Sequence, residues 1–307
     1  MGEIFSRALI LAGPTASGKT EVGLEIAERL DAEIISMDSM ALYRGMDIGT
    51  AKPAPEARRR VRHHLIDVLD PWESASVAWW LAQAAHCCQE IESRSKRVLF
   101  VGGTPLYLKA LLRGLFDGPP ANPELRQRLM QQWERDGHQA LHRRLAEVDP
   151  VSANRLHPHD ARRVVRALEV WELTRRPISA WQQQWKPEMH AKIDAPQARV
   201  DRCLWLDVPR QELYERINDR VQVMVRGGWI DEAKRLLGLS RPLSRESRQA
   251  LGYKEIFAHL VRHVDLEQTI QQIQTRTRNF AKRQVSWFRH LPECRPANRE
   301  LTFRLWG

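Results

Sequence analysis

Gly13-Pro14-Thr15-Ala16-Ser17-Gly18-Lys19-Thr20 fits G-x-x-x-x-G-K-[ST] and stands between an apolar run, Arg7 to Ala12, and an amphipathic run, Thr20 to Leu30. Strand, Gly-rich turn and helix in that order are the context a phosphate-binding loop requires, and they commit the chain to a helix leaving the carboxyl end of a buried strand. The glycines permit positive φ, so that successive amides point inward, and the helix N-terminus adds positive potential. Lys19 supplies a point charge, and the Thr20 hydroxyl can hold Mg²⁺. All eight residues are read as a cradle for a di- or triphosphate.

Further short apolar runs repeat the unit. Glu33 to Ser36 leads to Asp38, a third run lies near His64 to Val68, and Arg97 to Val101 ends at Gly102-Gly103-Thr104 before a helical run to Arg113. Strands alternating with helices predict an α/β fold, a P-loop NTPase-like core with a parallel sheet flanked by helices. The composition shifts at Gly118-Pro119-Pro120-Ala121-Asn122-Pro123, and a polar helical pattern then runs to Pro196. Residues 119–198 therefore read as a small all-helical insertion domain, and residues 1–118 with 199–307 as the core domain. Arg202 to Val208 reads as a returning strand, followed by helices over Arg210 to Val225, Asp231 to Leu237, Glu246 to Leu260 and Leu266 to His290. In the last helix Ile273, Phe280, Trp287 and Leu291 are expected to form the buried face, with Arg278, Lys282 and Arg289 on another. No motif is legible after Pro292.

The 307 residues, 43% hydrophobic and 28% charged, suit a packed globular chain and exclude a lone small module. No run approaches a membrane span, and the N-terminus enters the Gly-rich motif without a cleavage site, so a cytoplasmic protein is expected. Cys87, Cys88, Cys203 and Cys294 have neither metal-ligand nor disulfide-framework spacing, which argues against zinc and redox roles. The net charge of +10 favours a polyanionic partner, nucleic acid first. Nine lysines leave 39 of the 48 basic residues as arginine, the better fork for phosphate, although a GC-rich genome gives the same bias.

A P-loop NTPase normally has an acid ending a second hydrophobic strand, to hold the metal or order water. Here that strand ends in Gly102-Gly103-Thr104, and the acid is Asp38, after the preceding strand. Beside a diphosphate cradle it can act as general base; a metal ligand or a loop cap are the other readings of that position.

GPTASGKT (13–20), DSMALYRGMDIGTAKP (38–53), VGGTPLY (101–107), LGYKE (251–255) and AKRQVSWFR (281–289) together resemble the tRNA dimethylallyltransferase family over about residues 8 to 290. The resemblance implies prenyl transfer from dimethylallyl diphosphate to N6 of the adenosine beside the anticodon. The loop would then stabilise a leaving diphosphate, which accounts for the missing second acid. It implies that Asp38 accepts the N6 proton, that Thr104 lies beside the reacting diphosphate, and that Arg220 reaches the same group, with Arg216 one turn earlier as the alternative. Mg²⁺ at Thr20 is the implied cofactor, and a monomer the implied state.

The resemblance also assigns tRNA contact to Asp38, Ser39, Met40 and Ala41, to Thr104, and to Arg162, Arg163, Val164, Val165 and Arg166 in the insertion. Gln249, Ala250, Leu251, Gly252, Tyr253 and Lys254 follow, with Arg276, Arg278, Lys282 and Arg283 on the last helix. Asp160 is placed to cap the helix carrying Arg162 and Arg166, which share a face. The partner is an anticodon stem-loop, whose unpaired adenine can be flipped at modest cost. Trp171 and Trp287 are expected in cores, and Trp79, Trp80, Trp181 and Trp185 are more simply packed than base-stacked. His63, His64, His157 and His159 lack a ligand set. A P-loop kinase or nucleotide phosphotransferase, and a nucleotide-gated RNA-binding protein, are the competing functions.

Overall fold

The computed structural model describes residues 5–116, 118–182 and 201–307. It divides into two compact units, residues 1–112 with 195–307, and residues 113–194. The junction expected at 118/119 differs by six residues from the division at 112/113, and the one expected at 198/199 lies outside the described residues.

The larger unit is built on six parallel strands. In chain order its first elements are β1 (Leu9–Ala12), α1 (Lys19–Arg29), β2 (Ala32–Met37), α2 (Pro55–Arg60), β3 (His63–His64), α3 (Val77–Ser93), β4 (Arg97–Gly102) and α4 (Pro105–Arg113). The sheet order is β3-β2-β4-β1, continued by β5 (Cys203–Leu206) and β6 (Arg295–Ala297). Helices cover both faces, so LILA and VLFV are unbroken apolar runs rather than alternating ones, and AEIISM, which includes Glu33 and Ser36, is buried at every position. Alternate residues feed separate cores: Ile10, Ile35 and Phe100 pack with Trp80 and Tyr107 on one face, while Leu11, Ile34 and Leu99 pack with Val22 and Ile26 of α1 on the other.

Among its described residues the smaller unit has helices joined by loops and no strand. It comprises α5 (Pro123–Asp136), α6 (His138–Val148), α7 (Pro150–Arg155), α8 (Ala161–Thr174) and α9 (Ile178–Trp181) around Leu129, Leu145, Val164 and Leu168. Asn122, Asp149 and Asp160 cap α5, α7 and α8, each accepting from a backbone N–H three residues on. The larger unit resumes after β5 with α10 (Arg210–Arg226), α11 (Trp229–Leu237), α12 (Arg245–Arg248), α13 (Tyr253–Arg262), α14 (Leu266–Arg289) and α15 (Arg299–Trp306).

The structure departs from the sequence reading in several places. The strand near His64 to Val68 is only two residues long, because Leu65 and Asp67 take positive φ as Asp67 turns toward Lys52 and Arg58. The helix over Glu246 to Leu260 is two helices, broken at Gly252, where φ is 87° and a Cβ would run into the Trp229 ring. The silent tail pairs β6 with β5, and Arg299 binds Glu21 and Glu25 of α1. On α14 the buried residues include Ile273, Ala281, Gln284 and Phe288; Phe280 is half-buried and Trp287 is exposed. A strict seven-residue repeat drifts by about 20° per heptad on an α-helix, so by its third member it has left the core. Trp171 is likewise half-buried, whereas Trp80 is fully buried; Trp185 lies outside the described residues. Among the described residues no helix is long and apolar enough to cross a membrane.

Candidate active site

Strand register assembles the site. Ala12 pairs with Gly102, and Gly102 with Met37, so the loops leaving β1, β4 and β2 start side by side at Gly13, Gly103 and Asp38. Gly102 and Gly103 allow that approach, since a Cβ on Gly102 would strike the Met37 carbonyl and one on Gly103 would lie 2.7 Å from the Gly13 oxygen. The loop 13–18 turns through positive φ at Ala16 (63°) and Gly18 (84°), and Gly18 starts α1 without a side-chain cap. The Lys19 ammonium folds back onto the Pro14 carbonyl at 3.2 Å. The Ser17 hydroxyl is buried with no hydrogen-bond partner, which fits a loop shaped around an anion that is itself an acceptor.

Gln284 of α14, 3% exposed, locks this arrangement. Its Oε1 accepts from Thr15 N–H at 2.9 Å and its Nε2 donates to the Gly103 carbonyl at 2.6 Å. Thr104 holds the β2 loop, its N–H donating to the Met37 carbonyl and its Oγ1 accepting from Ser39 N–H at 3.1 Å. Asp38 Oδ1 accepts from Met40 N–H at 2.8 Å.

Lys19, Arg220 and Asp38 lie within electrostatic reach of one another. Burial first, then the Arg220 charge, push the Lys19 ammonium down to about 8, while Asp38 opposes them. Burial also depresses Arg220, again against the pull of Asp38. Arg216 is exposed, pairs with Glu212 at 2.5 Å, and flanks Gly18. Of the two candidate arginines, Arg220 is the one that faces Lys19 and Asp38. Two crowded cations against one carboxylate favour a multiply charged anion beside Asp38.

The DIGTAKP segment is anchored from two sides. Glu232 of α11, 2% exposed, accepts from the amides of Asp47 (2.8 Å), Ile48 (2.9 Å) and Gly49 (3.2 Å), and from the Tyr253 hydroxyl at 2.5 Å. Burial and then Glu232 push the Tyr253 phenol up. On the other side the Lys52 ammonium, its side chain 2% exposed, donates to the Tyr43 carbonyl and pairs with Asp47 and Asp67. These bonds fix the far end of the loop that begins at Asp38. Glu232→Ala strands three amides and a phenol, at about 1–3 kcal/mol for each buried group left unsatisfied. A loss of at least about 3 kcal/mol on urea unfolding is expected, and one below about 1 kcal/mol contradicts the anchoring role.

The residues assigned to tRNA separate by exposure. Arg162, Arg163, Gln249, Lys254, Lys282 and Arg283 are exposed. Ser39, Met40 and Leu251 are half-buried, whereas the side chains of Ala41, Val164, Val165, Ala250 and Tyr253 are buried, as is Gly252. Their side chains are core, so any RNA contact there falls to the backbone and to exposed neighbours. Arg166 donates to the buried Glu169 at 2.6 Å and to the Pro119 carbonyl at 2.7 Å. Arg276 pairs with Glu255, and Arg278 donates to Asn218 and Thr275. Gln284 and Glu232 are the functional positions that sequence reasoning missed; Gln284 stood inside AKRQVSWFR, whereas nothing marked Glu232. His64 pairs with buried Glu33, and His157 and His159 stack on each other. Among the described residues no cluster of three His, Cys, Asp or Glu side chains could hold a metal. Thr20 is exposed on the first turn of α1.

Comparison with known proteins gives a consistent picture. The model of the IPP transferase family matches residues 41–291. A tRNA dimethylallyltransferase of Geobacter metallireducens is 46% identical over 92% of this chain and 90% of its own length. That of Thermotoga maritima is 42% identical over 93% and 90%. The crystal structure of the full-length tRNA isopentenylpyrophosphate transferase of Bacillus halodurans superposes with a TM-score of 0.66 at 39% identity, over 96% of this chain and 90% of that one. A eukaryotic dimethylallyltransferase captured acting on tRNA gives 0.73 at 25% identity, over 95% and 73%.

Proposed function

The chain belongs to the IPP transferase family, and from that premise we propose that it transfers the dimethylallyl group of dimethylallyl diphosphate to N6 of the tRNA adenosine adjacent to the anticodon. The observation that carries this is Asp38 beside a phosphate-binding loop whose neighbouring strand ends in Gly102-Gly103-Thr104 rather than in an acid. The loop accepts a diphosphate as leaving group. N6 attacks the allylic carbon, the C–O bond breaks with its electron pair going to diphosphate, and the N6 proton passes to Asp38. Lys19 and Arg220 meet the charge that grows on the departing oxygen. Thr104 holds the Asp38 loop against the Gly103 end of the cradle.

Mg²⁺ fits the residues present. A small hard cation takes few protein oxygens and completes its shell with phosphate and water, and the exposed Thr20 hydroxyl next to the loop is such a donor. When bound, the ion neutralises diphosphate charge. One chain carries all these groups, so the reaction is assigned to a monomer, in the cytoplasm where tRNA matures.

The test supplies undermodified tRNA, an anticodon stem-loop or AMP with either dimethylallyl diphosphate or ATP, and weighs the digested nucleosides. Adenosine in tRNA and in the hairpin should gain a five-carbon unit from the allylic donor alone, and AMP should be a very poor acceptor. Phosphate transfer from ATP would identify a kinase instead.

Two arginines of α8 separate RNA contact from architecture. Arg162→Ala should weaken tRNA binding and lower the slope of log affinity against log salt by at most about 0.9, with thermal stability unchanged. Arg166→Ala withdraws donors from buried Glu169 and should destabilise the smaller unit by about 1–3 kcal/mol. Equal salt slopes in the Arg162→Ala and wild-type chains would make Arg162 solvated surface.

A further inference from the structure

Single exposed apolar residues are ordinary, and Trp287 would need no comment but for its surroundings. It is 42% exposed, the one exposed aromatic among the described residues. One turn earlier on α14, Gln284 binds Thr15 and Gly103, so Trp287 stands at the margin of the loops that form the active site. The Lys109 ammonium of α4 lies over its ring, 5.8 Å from the centroid. Leu106 precedes Lys109 by one turn, follows Thr104 by two residues, and is 40% exposed. Lys282, Arg283 and Arg289 are exposed on the same helix, which carries no Asp or Glu after Glu267.

An exposed indole with a lysine over its ring, on a helix whose last turns are basic and carry no acid, has the makeup of a site for single-stranded nucleic acid, where a base stacks on the ring and the charges meet phosphate. We propose that Trp287, with Lys109 over its ring, stacks an unpaired base of the tRNA loop flanking the adenosine to be prenylated. This rests on tRNA being the acceptor. Extruding one base removes a stacking partner from its neighbour, and an aromatic at the lip of the site replaces that partner. Every base has a π-face, so the contact holds the loop in register without reading sequence. The Lys109 ammonium over the ring and the acid-free, basic end of α14 favour this polyanion over a second copy of the chain, whose own net charge is +10.

The experiment uses the whole chain and a fluorescently labelled anticodon stem-loop hairpin, comparing Trp287→Ala, Trp287→Phe and Trp287→Leu by anisotropy and in the prenylation assay. Trp287→Ala should weaken hairpin binding about 5- to 150-fold, the range that stacking on one aromatic provides. Trp287→Phe should recover most of the loss and Trp287→Leu should not, while KM for dimethylallyl diphosphate stays unchanged in all three. Unchanged hairpin affinity in Trp287→Ala, or recovery by Leu equal to that by Phe, overturns the proposal. So does a wild-type dimer that Trp287→Ala dissociates in sedimentation. Should Trp287→Ala fail to fold, the Phe and Leu pair still decides. Prenylation by the wild-type chain reads the proposed function separately: a chain that binds the hairpin in the predicted series without prenylating it retains the stacking assignment and loses the reaction.

Discussion

Asp38→Asn should prenylate tRNA about 10²–10⁴ more slowly than the wild-type chain, in single turnovers at saturating substrates. Asn keeps the volume and the oxygen that accepts from Met40 N–H, so the loop start is preserved while the proton acceptor is removed. Binding of tRNA should survive. Donor binding should hold or tighten, because the carboxylate that partly neutralises Lys19 and Arg220 is gone. The same loss has a signed consequence for pH. Asp38 supports the charged form of Lys19, so its removal should shift that ammonium further down, and the alkaline fall in donor affinity should begin at lower pH than in the wild-type chain. A single-turnover rate within a few-fold of wild type would remove Asp38 from the role of base and return it to metal binding or loop capping.

The parts of the site made by short-range pattern were legible in the sequence. The strand, loop and helix around Lys19, the position of Asp38 at a strand end, and the Gly102-Gly103-Thr104 terminus all follow from local chemistry, and parallel register then places them side by side. What was not legible depends on contacts far apart in the chain. Gln284 reaches Thr15 across 269 positions, and Glu232 reaches Gly49 across 183, so no local window shows either as a partner. Trp229 decides where the α12–α13 region breaks because its ring fills the space beside Gly49 and Gly252. Trp287 reads as core by a heptad rule and lies outside it because the true helical period carries the stripe onward to Phe288. For Arg166, the one-dimensional pattern that suggests a phosphate contact does not show that it also donates to buried Glu169. Positions defined by backbone geometry are readable, and positions defined by a distant partner are not.

Lys19→Ala should lower turnover by about 10²–10³ and weaken donor binding as well, because the charge on the leaving oxygen is larger in the transition state than in the bound donor. The Pro14 carbonyl loses only a bond that the loop geometry does not depend on, since Gln284 and the turn from Ser17 N–H to Pro14 remain. The pH dependence gives a second, independent readout. In the free chain the ammonium titrates at about 8, so it is charged below that pH and loses its proton as pH rises through it. The second-order rate constant for the donor should therefore be flat on the acid side of about 8 and fall on the alkaline side. Bound diphosphate favours the ammonium, so turnover at saturating donor should hold to higher pH than the second-order constant does. In Lys19→Ala that difference between the two profiles should vanish. Thr20→Ala should behave differently, losing activity that excess Mg²⁺ partly restores while the alkaline limb stays in place. If Lys19→Ala changes donor affinity but not turnover, the lysine binds ground and transition states equally. If the alkaline fall persists without it, the titrating group is another residue, and the positive field attributed to Lys19 is supplied by Arg220.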